Sequence, residues 1–159
     1  YRRDCKMEIK IRKANKNDVE GIIKLEIEWL KEGISWGSIP PEKKELKKSI
    51  KKDIWYVAED NKIIGFVQGG IIKSDGDRPA FNIKKGQRYG ELYQVYVTKK
   101  FRKNNVGQIL IKKILDHFRN EKVKIVKLQA QSKNLQSLVY YYKKFGFRER
   151  TTDMVKELR

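Results

Sequence analysis

Residues 91–97 read ELYQVYV, and residues 101–111, after a gap of three residues, read FRKNNVGQILI. The first part is rich in β-branched and aromatic residues and predicts a strand, and the second predicts an amphipathic helix that begins near Val106. A loop between a strand and a helix N-terminus binds anions well, because its backbone N–H groups converge on the positive end of the helix dipole. Lys99, Lys100 and Lys103 add positive charge there. The sequence therefore predicts a phosphate-binding loop.

Chain length and composition set the broad class. The 159 residues, 39% of them hydrophobic, predict one globular domain over residues 9–159, preceded by a lead-in over residues 1–8 without fixed structure. No run approaches the roughly 18 apolar residues that span a bilayer, so no membrane partner is expected. Cys5 is the single cysteine and His117 the single histidine, which excludes an internal disulfide and a Cys/His metal site. The expected location is the reducing cytoplasm.

The net charge of +18 has two interpretations. One is a polyanionic partner such as nucleic acid, and the other is a lysine-rich composition spread over solvated faces. The second is favoured, since lysines occur all along the chain. The competing class of protein nevertheless stays open, namely a basic nucleic-acid- or ribosome-binding module with a degenerate phosphate loop.

The first half of the chain predicts two helices among three strands. Residues 9–11 form a first strand, and Asn17 is the expected N-cap of a helix, with Glu20 completing a capping box. That helix runs to about Glu32, and a weaker, very basic helix follows over residues 42–52. Strands over residues 55–59 and 62–72 flank a turn at Asp60 and Asn61, and a long polar loop covers residues 74–90.

The second half predicts the remaining elements around two helical stripes. The helix after the phosphate loop places one set of apolar residues on one face, namely Val106, Ile109, Leu110, Ile114 and Phe118. A strand over residues 125–130 is expected to pair in parallel, because a helix precedes it. A second stripe predicts the last helix, namely Leu135, Leu138, Val139, Tyr142 and Phe145. Phe147 opens a last strand, with residues 154–158 pairing to it.

Two motifs in this order resemble those of the GCN5-related N-acetyltransferase (GNAT) family. FRKNNVGQILI resembles its acyl-CoA pyrophosphate loop, Q/R-x-x-G-x-G/A, with Arg102 at the first position and Gly107 at the last. Asn105 stands where the family usually has Gly, a mild change because Asn tolerates φ > 0. YKKFGF over residues 142–147 resembles the family's Y-x-x-x-G-F motif. The resemblance covers about residues 9–158 and implies an α/β (α+β) fold, with a mixed, mostly antiparallel central sheet flanked by about four helices.

The resemblance also implies acetyl-CoA as cosubstrate and direct transfer of its acetyl group to a primary amine. The acceptor is left open between a small molecule, a polyamine and a protein, and a homodimer is left open as well. Asn134 resembles the Asn that opens the family's last helix, although it lies twelve rather than eleven residues before Gly146. The residues expected to bind the cofactor are Val95, Tyr96, Val97, Arg102, Lys103, Asn104, Asn105, Val106, Gly107, Gln108 and Asn134.

Two side chains are predicted to carry the proton transfers. Glu91 matches a catalytic Glu of some family members and is the candidate base that deprotonates the amine, with ordered water as the alternative. Tyr142 is the candidate acid for the leaving thiolate, with an ordinary core aromatic as the alternative. His117 is assigned to an exposed helix end without a catalytic role. The expected walls of the acceptor site are Trp29, Trp36 and Tyr93.

Overall fold

The computed structural model describes residues 9–35, 39–151 and 154–157, which form an open five-stranded sheet with helices on both faces. The predictions that fall on residues 1–8, Trp36 and Leu158 lie outside this range. The elements in chain order are β1 (Lys10–Lys13), α1 (Val19–Lys31), α2 (Lys43–Lys52), β2 (Ile54–Asp60), β3 (Lys62–Lys73), β4 (Arg88–Val97), α3 (Val106–Asn120), β5 (Val126–Leu128) and α4 (Leu135–Lys143).

The sheet order is β1-β2-β3-β4-β5. The first four strands are antiparallel neighbours, whereas β4 and β5 pair in parallel, as predicted. One apolar cluster packs α1 and α2 on one face of the sheet, and a second packs α3 and α4 on the other. The predicted mixed, mostly antiparallel sheet with four helices is therefore confirmed.

The entry to α1 differs from the prediction. Asn15 caps a 3-10 turn that leads into α1: its side chain accepts a hydrogen bond from the Asn17 backbone N–H at 2.9 Å, and Asp18, the residue before α1, completes the capping box. Asp18 also forms a two-contact ion pair with Arg12 of β1. The predicted cap at Asn17 was wrong because a short 3-10 turn, Lys16–Asp18, precedes the α-helix and moves the cap two residues earlier.

Helix α3 lies close against the sheet, at positions where the strands carry glycine. A Cβ atom on Gly69 would lie 2.8 Å from Ile114 Cδ1, and one on Gly90 would lie 3.1 Å from the Phe118 ring. The buried stripe includes Ile111, whereas Ile109, predicted to be buried, is 44% exposed. Ile109 lies at the border of the apolar face of α3, and the sheet covers the side of α3 that Ile111 occupies.

A bulge in β4 shapes the centre of the sheet. Gln68 pairs with Gln94 but its neighbour Gly69 pairs with Leu92, so Tyr93 is an extra residue on β4. Beyond Leu92, which pairs with Leu128, the structure gives β4 no further pairing with β5, and β5 ends there. The pairing of the two parallel strands therefore ends at the bulge, on the side where β4 leads into the phosphate loop.

Two further sequence expectations need correction. The predicted 74–90 loop is shorter, since β4 already begins at Arg88 and Pro79–Phe81 forms a 3-10 turn. The predicted final strands are not formed in the described residues 147–151 and 154–157. Charged residues follow Phe147 directly, and Met154 and Val155 are almost fully exposed, so the apolar contacts that would hold a strand against β5 are missing from this part of the chain.

Candidate functional site

The predicted phosphate loop has the backbone shape that an anion site requires. Asn105 adopts φ 60° and ψ 8°, the left-handed conformation expected for a residue at a glycine position, and Lys103 also has positive φ, at 69°. No side chain of the described chain caps α3. Because the first N–H groups of a helix lack partners within it, those of Val106, Gly107 and Gln108 point into the loop. The exposed side chains of Lys99, Lys100, Lys103 and Asn104 border it.

The Arg102 side chain is directed away from the loop. Its guanidinium forms two hydrogen bonds with the Glu32 carboxylate, donates to the Val97 carbonyl at 2.9 Å and lies over the Tyr96 ring. Tyr96 in turn donates to Glu32 at 2.6 Å. Burial raises the pKa of the Tyr96 hydroxyl, and its hydrogen bond to the Glu32 carboxylate adds to the shift. Arg102 and Tyr96 therefore connect the loop to α1, and only their backbones are left for a cofactor.

Strand β4 presents alternate residues to the two faces of the sheet, and the bulge reverses the alternation. Gly90 and Leu92 face α3, whereas beyond the bulge it is Val95 and Val97 that pack in the α3 cluster. Glu91 therefore lies on the α1–α2 face, together with Gln94 and Tyr96. The free backbone edge of β4 beyond the bulge lies between these two faces, next to the phosphate loop.

Glu91, the predicted base, has a salt-bridge partner. Lys127 of β5 donates to its Oε1 at 3.0 Å, and both side chains are about four-fifths buried. Lys127 also lies over the Phe81 ring. The geometry is compatible with a role in pairing β4 to β5 as well as with the predicted catalytic role.

Tyr142, the predicted acid, is buried in the α3–α4 cluster, and burial raises the pKa of its hydroxyl. Its neighbour Tyr141, which is not a member of the predicted apolar stripe, is also partly buried. The Tyr141 hydroxyl lies 3.0 Å from the position that a Cβ atom on Gly107 would occupy. Glycine at the start of α3 thus leaves room for the Tyr141 hydroxyl, and the structure brings α4 against the phosphate loop.

A cavity of about 280 Å³ lies on the opposite face of the sheet, between α1, α2 and β2–β4. Trp29, a predicted wall of the acceptor site, lines this cavity, and its ring stacks on Tyr96 at 5.3 Å. Tyr93 is not among the lining residues. At the inner end of the cavity lies Glu26, which is only 7% exposed and whose Oε2 has no hydrogen-bond partner within the described chain.

Sequence reasoning missed Glu26, although a signal was present. Glu26 follows the buried residues Val19 and Ile22 by seven and four positions, so helical spacing places this carboxyl on the apolar face of α1. A charged residue in that register is rarely buried without a partner. Here burial raises the pKa of Glu26 to about 7, a shift opposed by a hydrogen bond from Gln94.

The remaining predicted residues lie outside the phosphate loop and the cavity. Asn134 precedes α4 and is exposed, and its side chain does not cap the helix. His117 is not at an exposed helix end, because its Nδ1 lies 2.8 Å from the Tyr56 hydroxyl, on the side of α3 that faces β2. Burial lowers the pKa of its imidazole. Among the described residues, no group of three or more His, Cys, Asp or Glu is arranged to hold a metal ion.

The positive charge is less evenly distributed than the sequence indicated. Six of the ten residues of α2 are exposed lysines, and they cover its outer surface. The buried side of α2 consists of Leu46 and Ile50. No helix in the described part of the chain has the length and apolar character of a membrane span.

A bulged central strand, a parallel pair at the sheet edge and an uncapped helix behind a left-handed loop together define an α/β protein with a candidate anion-binding loop. The sequence profile of the Acetyltransferase (GNAT) family matches residues 24–147, and the chain belongs to this family. A search of curated protein sequences gives no match.

Solved structures agree on the fold. The tetramutant of BH1408 protein from Bacillus halodurans has a TM-score of 0.75 at 15% identity, with 94% of this chain and 99% of that chain covered. An aminoglycoside acetyltransferase from an uncultured soil metagenomic sample gives 0.68 at 18% identity, covering 95% and 97%. A predicted acetyltransferase with acetyl-CoA from Clostridium acetobutylicum gives 0.67 at 24% identity, covering 95% and 96%.

Proposed function

We propose that this protein transfers an acetyl group from acetyl-CoA to a primary amine by direct attack. The observation that carries the proposal is the uncapped N-terminus of α3, which follows left-handed residues at Lys103 and Asn105 and the part of β4 that extends beyond its pairing with β5. The backbone N–H groups between Arg102 and Gln108 and the positive helix terminus would bind an anionic pyrophosphate. The surrounding lysines strengthen the attraction for any highly charged cosubstrate.

The thioester would extend from this loop along the free edge of β4. Backbone groups of residues 95–97 would pair with the pantetheine arm as an added strand does. A backbone N–H beside the bulge is then available to polarise the thioester carbonyl, a type of interaction that contributes several kcal/mol in the transition state. Asn134 and the start of α4 would lie on the other side of the pantetheine arm.

The chemistry needs a neutral amine and a protonated thiol. Alkyl amines have a pKa of about 10.4, so a group on the α1–α2 face of β4 has to accept a proton before attack. Glu91, or a water molecule, is the acceptor predicted from the family resemblance. Tyr142 is proposed to donate to the departing thiolate, because it is buried beside the loop-facing Tyr141 and keeps its proton at neutral pH.

Calorimetry with acetyl-CoA tests this function. We expect one molecule to bind per chain, and acetyl-pantetheine, which lacks the pyrophosphate, to bind far more weakly. Absence of heat and of a thermal shift at millimolar acetyl-CoA would contradict the proposal. Equal affinity for the two compounds would contradict the assignment of the phosphate loop.

A second candidate function is polyanion binding, favoured by the six exposed lysines of α2. This activity would depend steeply on salt, because each neutralised phosphate releases a counterion. Binding of a fluorescent single-stranded oligonucleotide should then fall by orders of magnitude between about 50 and 200 mM salt. Acetyl-CoA binding at the α3 loop should weaken much less over the same range. Micromolar oligonucleotide binding that is lost on changing Lys47 and Lys48 to Gln would support this function.

A further inference from the structure

The cavity between α1 and α2 is polar at its inner end and apolar at its walls. Trp29, Leu30, Ile39, Pro40 and Trp55 are among its apolar lining residues. Ligand sites for small molecules have this composition, with a few polar groups that orient the ligand. The volume, about 280 Å³, is near the lower end of the range for such sites, roughly 300–1,000 Å³.

The polar groups form one chain of hydrogen bonds that ends at Glu26. Asp53 accepts from Ser49 at 2.8 Å and from Gln68 at 3.0 Å. Gln68 accepts from Gln94 at 2.8 Å, and Gln94 also donates to Glu26 Oε1 at 3.2 Å. Along this chain the carboxylate and amide groups of Asp53, Gln68 and Gln94 all have partners, whereas Oε2 of Glu26 has none within the described residues.

An unsatisfied buried carboxyl oxygen is costly, and its persistence needs an explanation. Glu26 is more than nine-tenths buried and lines the cavity, so a ligand there can supply the missing donor. Gln94 lies immediately beyond the β4 bulge, one residue before the segment proposed to pair with the pantetheine arm. A group held by Glu26 is therefore close to the predicted thioester.

We propose that this cavity binds a small primary amine with an apolar body, and that Glu26 Oε2 holds the amino group and accepts its proton. This inference rests on the proposed acetyl transfer. The ammonium N–H bond breaks and its proton moves to Oε2, which leaves a nitrogen lone pair. The nitrogen bonds to the acetyl carbon while the C–S bond breaks toward sulfur. The acylated nitrogen then releases a second proton, and the thiolate takes up a proton. The products are the amide, the thiol and protonated Glu26.

The surroundings of Glu26 agree with this role. Among the described residues that line the cavity, Glu45, exposed on α2, is the charged side chain besides Glu26, and the α2 lysines lie outside the lining. Asp53 is held by Ser49 and Gln68. On β2, β3 and β4 the facing side chains are Trp55, Gln68 and Gln94, which are neutral. Burial thus dominates the shift of the Glu26 pKa to about 7 and makes it a suitable proton acceptor near neutral pH. Glu91, by contrast, is paired with Lys127 and does not line the cavity.

The test uses 2-phenylethylamine as the probe amine and mass detection of its acetylated product. We expect wild type to acetylate it more efficiently than spermidine, because only the exposed Glu45 is left in this cavity to pair with the second and third charges of spermidine. Glu26→Gln should lower kcat/KM by about a hundredfold or more, as removal of a general base does. It should also remove the acidic limb of the pH–kcat/KM profile near pH 7. Glu20→Gln, an exposed carboxyl on the same helix, is the control and should leave both unchanged.

A second variant tests the cavity without touching Glu26. Ile39 lies at its mouth and is 87% exposed, so Ile39→Lys should fold normally and raise KM for the cationic amine. Acetyl-CoA affinity should stay unchanged in both variants. If wild type acetylates amines but Glu26→Gln keeps its kcat/KM and its acidic limb, the inference is overturned. Acetylation of spermidine alone, or of neither amine despite acetyl-CoA binding, would overturn the assigned acceptor class. Failure to bind acetyl-CoA at all would instead contradict the proposed function.

Discussion

Arg102 and Glu32 form a bidentate ion pair that joins the phosphate-binding loop to the end of α1, with Nη1–Oε2 at 2.8 Å and Nη2–Oε1 at 2.5 Å. The two residues are seventy positions apart in the chain. The pair holds the first residue of the loop motif on the helix that also carries Glu26. The proposed cofactor and acceptor sites are thus connected through one ion pair.

The first prediction concerns this pair. Although burial opposes it, hydrogen bonds from Arg102 and Tyr96 lower the pKa of Glu32. A lowered carboxyl pKa adds stability above its unfolded value of about 4.3, and this stability is lost as pH falls through the folded pKa. Glu32→Gln should therefore cost roughly 1–2 kcal/mol at pH 7 and much less at pH 3, as measured by urea unfolding. A pH-independent difference would show that the ion pair contributes nothing.

The second prediction concerns Asn105. Its φ of 60° is accessible to Gly without strain and is resisted by β-branched side chains. Asn105→Gly should keep or improve acetyl-CoA affinity, whereas Asn105→Val should weaken it by about tenfold or more, corresponding to a strain of 1–3 kcal/mol. Calorimetry on the two variants compares them directly. Equal affinities would mean that the bound loop has another shape.

The third prediction separates Glu91 from Glu26. If Glu26 accepts the proton, Glu91→Gln should leave the pH–rate profile unchanged and should mainly destabilise the fold, because Lys127 loses its partner in a largely buried position. The family resemblance predicts the opposite, a fall in turnover near neutral pH that high pH partly restores. Steady-state rates from pH 6 to 10, together with thermal unfolding, distinguish the two outcomes.

The fourth prediction concerns Tyr142. Tyr142→Phe keeps the ring packing and should lower turnover by roughly a hundredfold if the hydroxyl protonates the thiolate. Tyr141→Phe is not a silent control, since its hydroxyl lies against Gly107. Tyr140→Phe is the matched control, because Tyr140 is 66% exposed on the same helix. Wild-type turnover in Tyr142→Phe, with normal unfolding, would leave Tyr142 as a core aromatic only.

The fifth prediction is a stability measurement on Glu26. Its pKa is raised by burial from 4.5 to about 7. A raised carboxyl pKa means that stability is fully present below the unfolded pKa and is lost as pH rises through the folded pKa. The free energy of unfolding of Glu26→Gln, relative to that of wild type, should therefore rise by on the order of 3 kcal/mol between pH 4 and pH 8. Parallel pH dependence in the two proteins would mean that Glu26 does not titrate anomalously.

The local parts of the site could be predicted from the sequence. The strand, the loop and the helix after it are neighbours in the chain, and the conformation of Asn105 follows from its position in the loop motif. The parallel pairing of β5 followed from the intervening helix. In each case residues close in sequence determine the geometry, so propensity and spacing were sufficient. The cap at Asn17 and the burial of Ile109 were wrong because shifts of one or two residues at the ends and borders of a helix are not visible in such patterns.

The order of the elements from β1 to α4 and the family follow from the amino-acid sequence alone, as does the left-handed conformation of Asn105. Only the tertiary structure decided which side chains meet across that framework. Glu26 meets Gln94 over 68 positions, Arg102 meets Glu32 over 70, and the Tyr141 hydroxyl reaches Gly107. These contacts depend on how the helices pack on each face of a bulged sheet. Burial then determines that Glu26 carries a shifted pKa, because desolvation arises only when distant elements exclude water together.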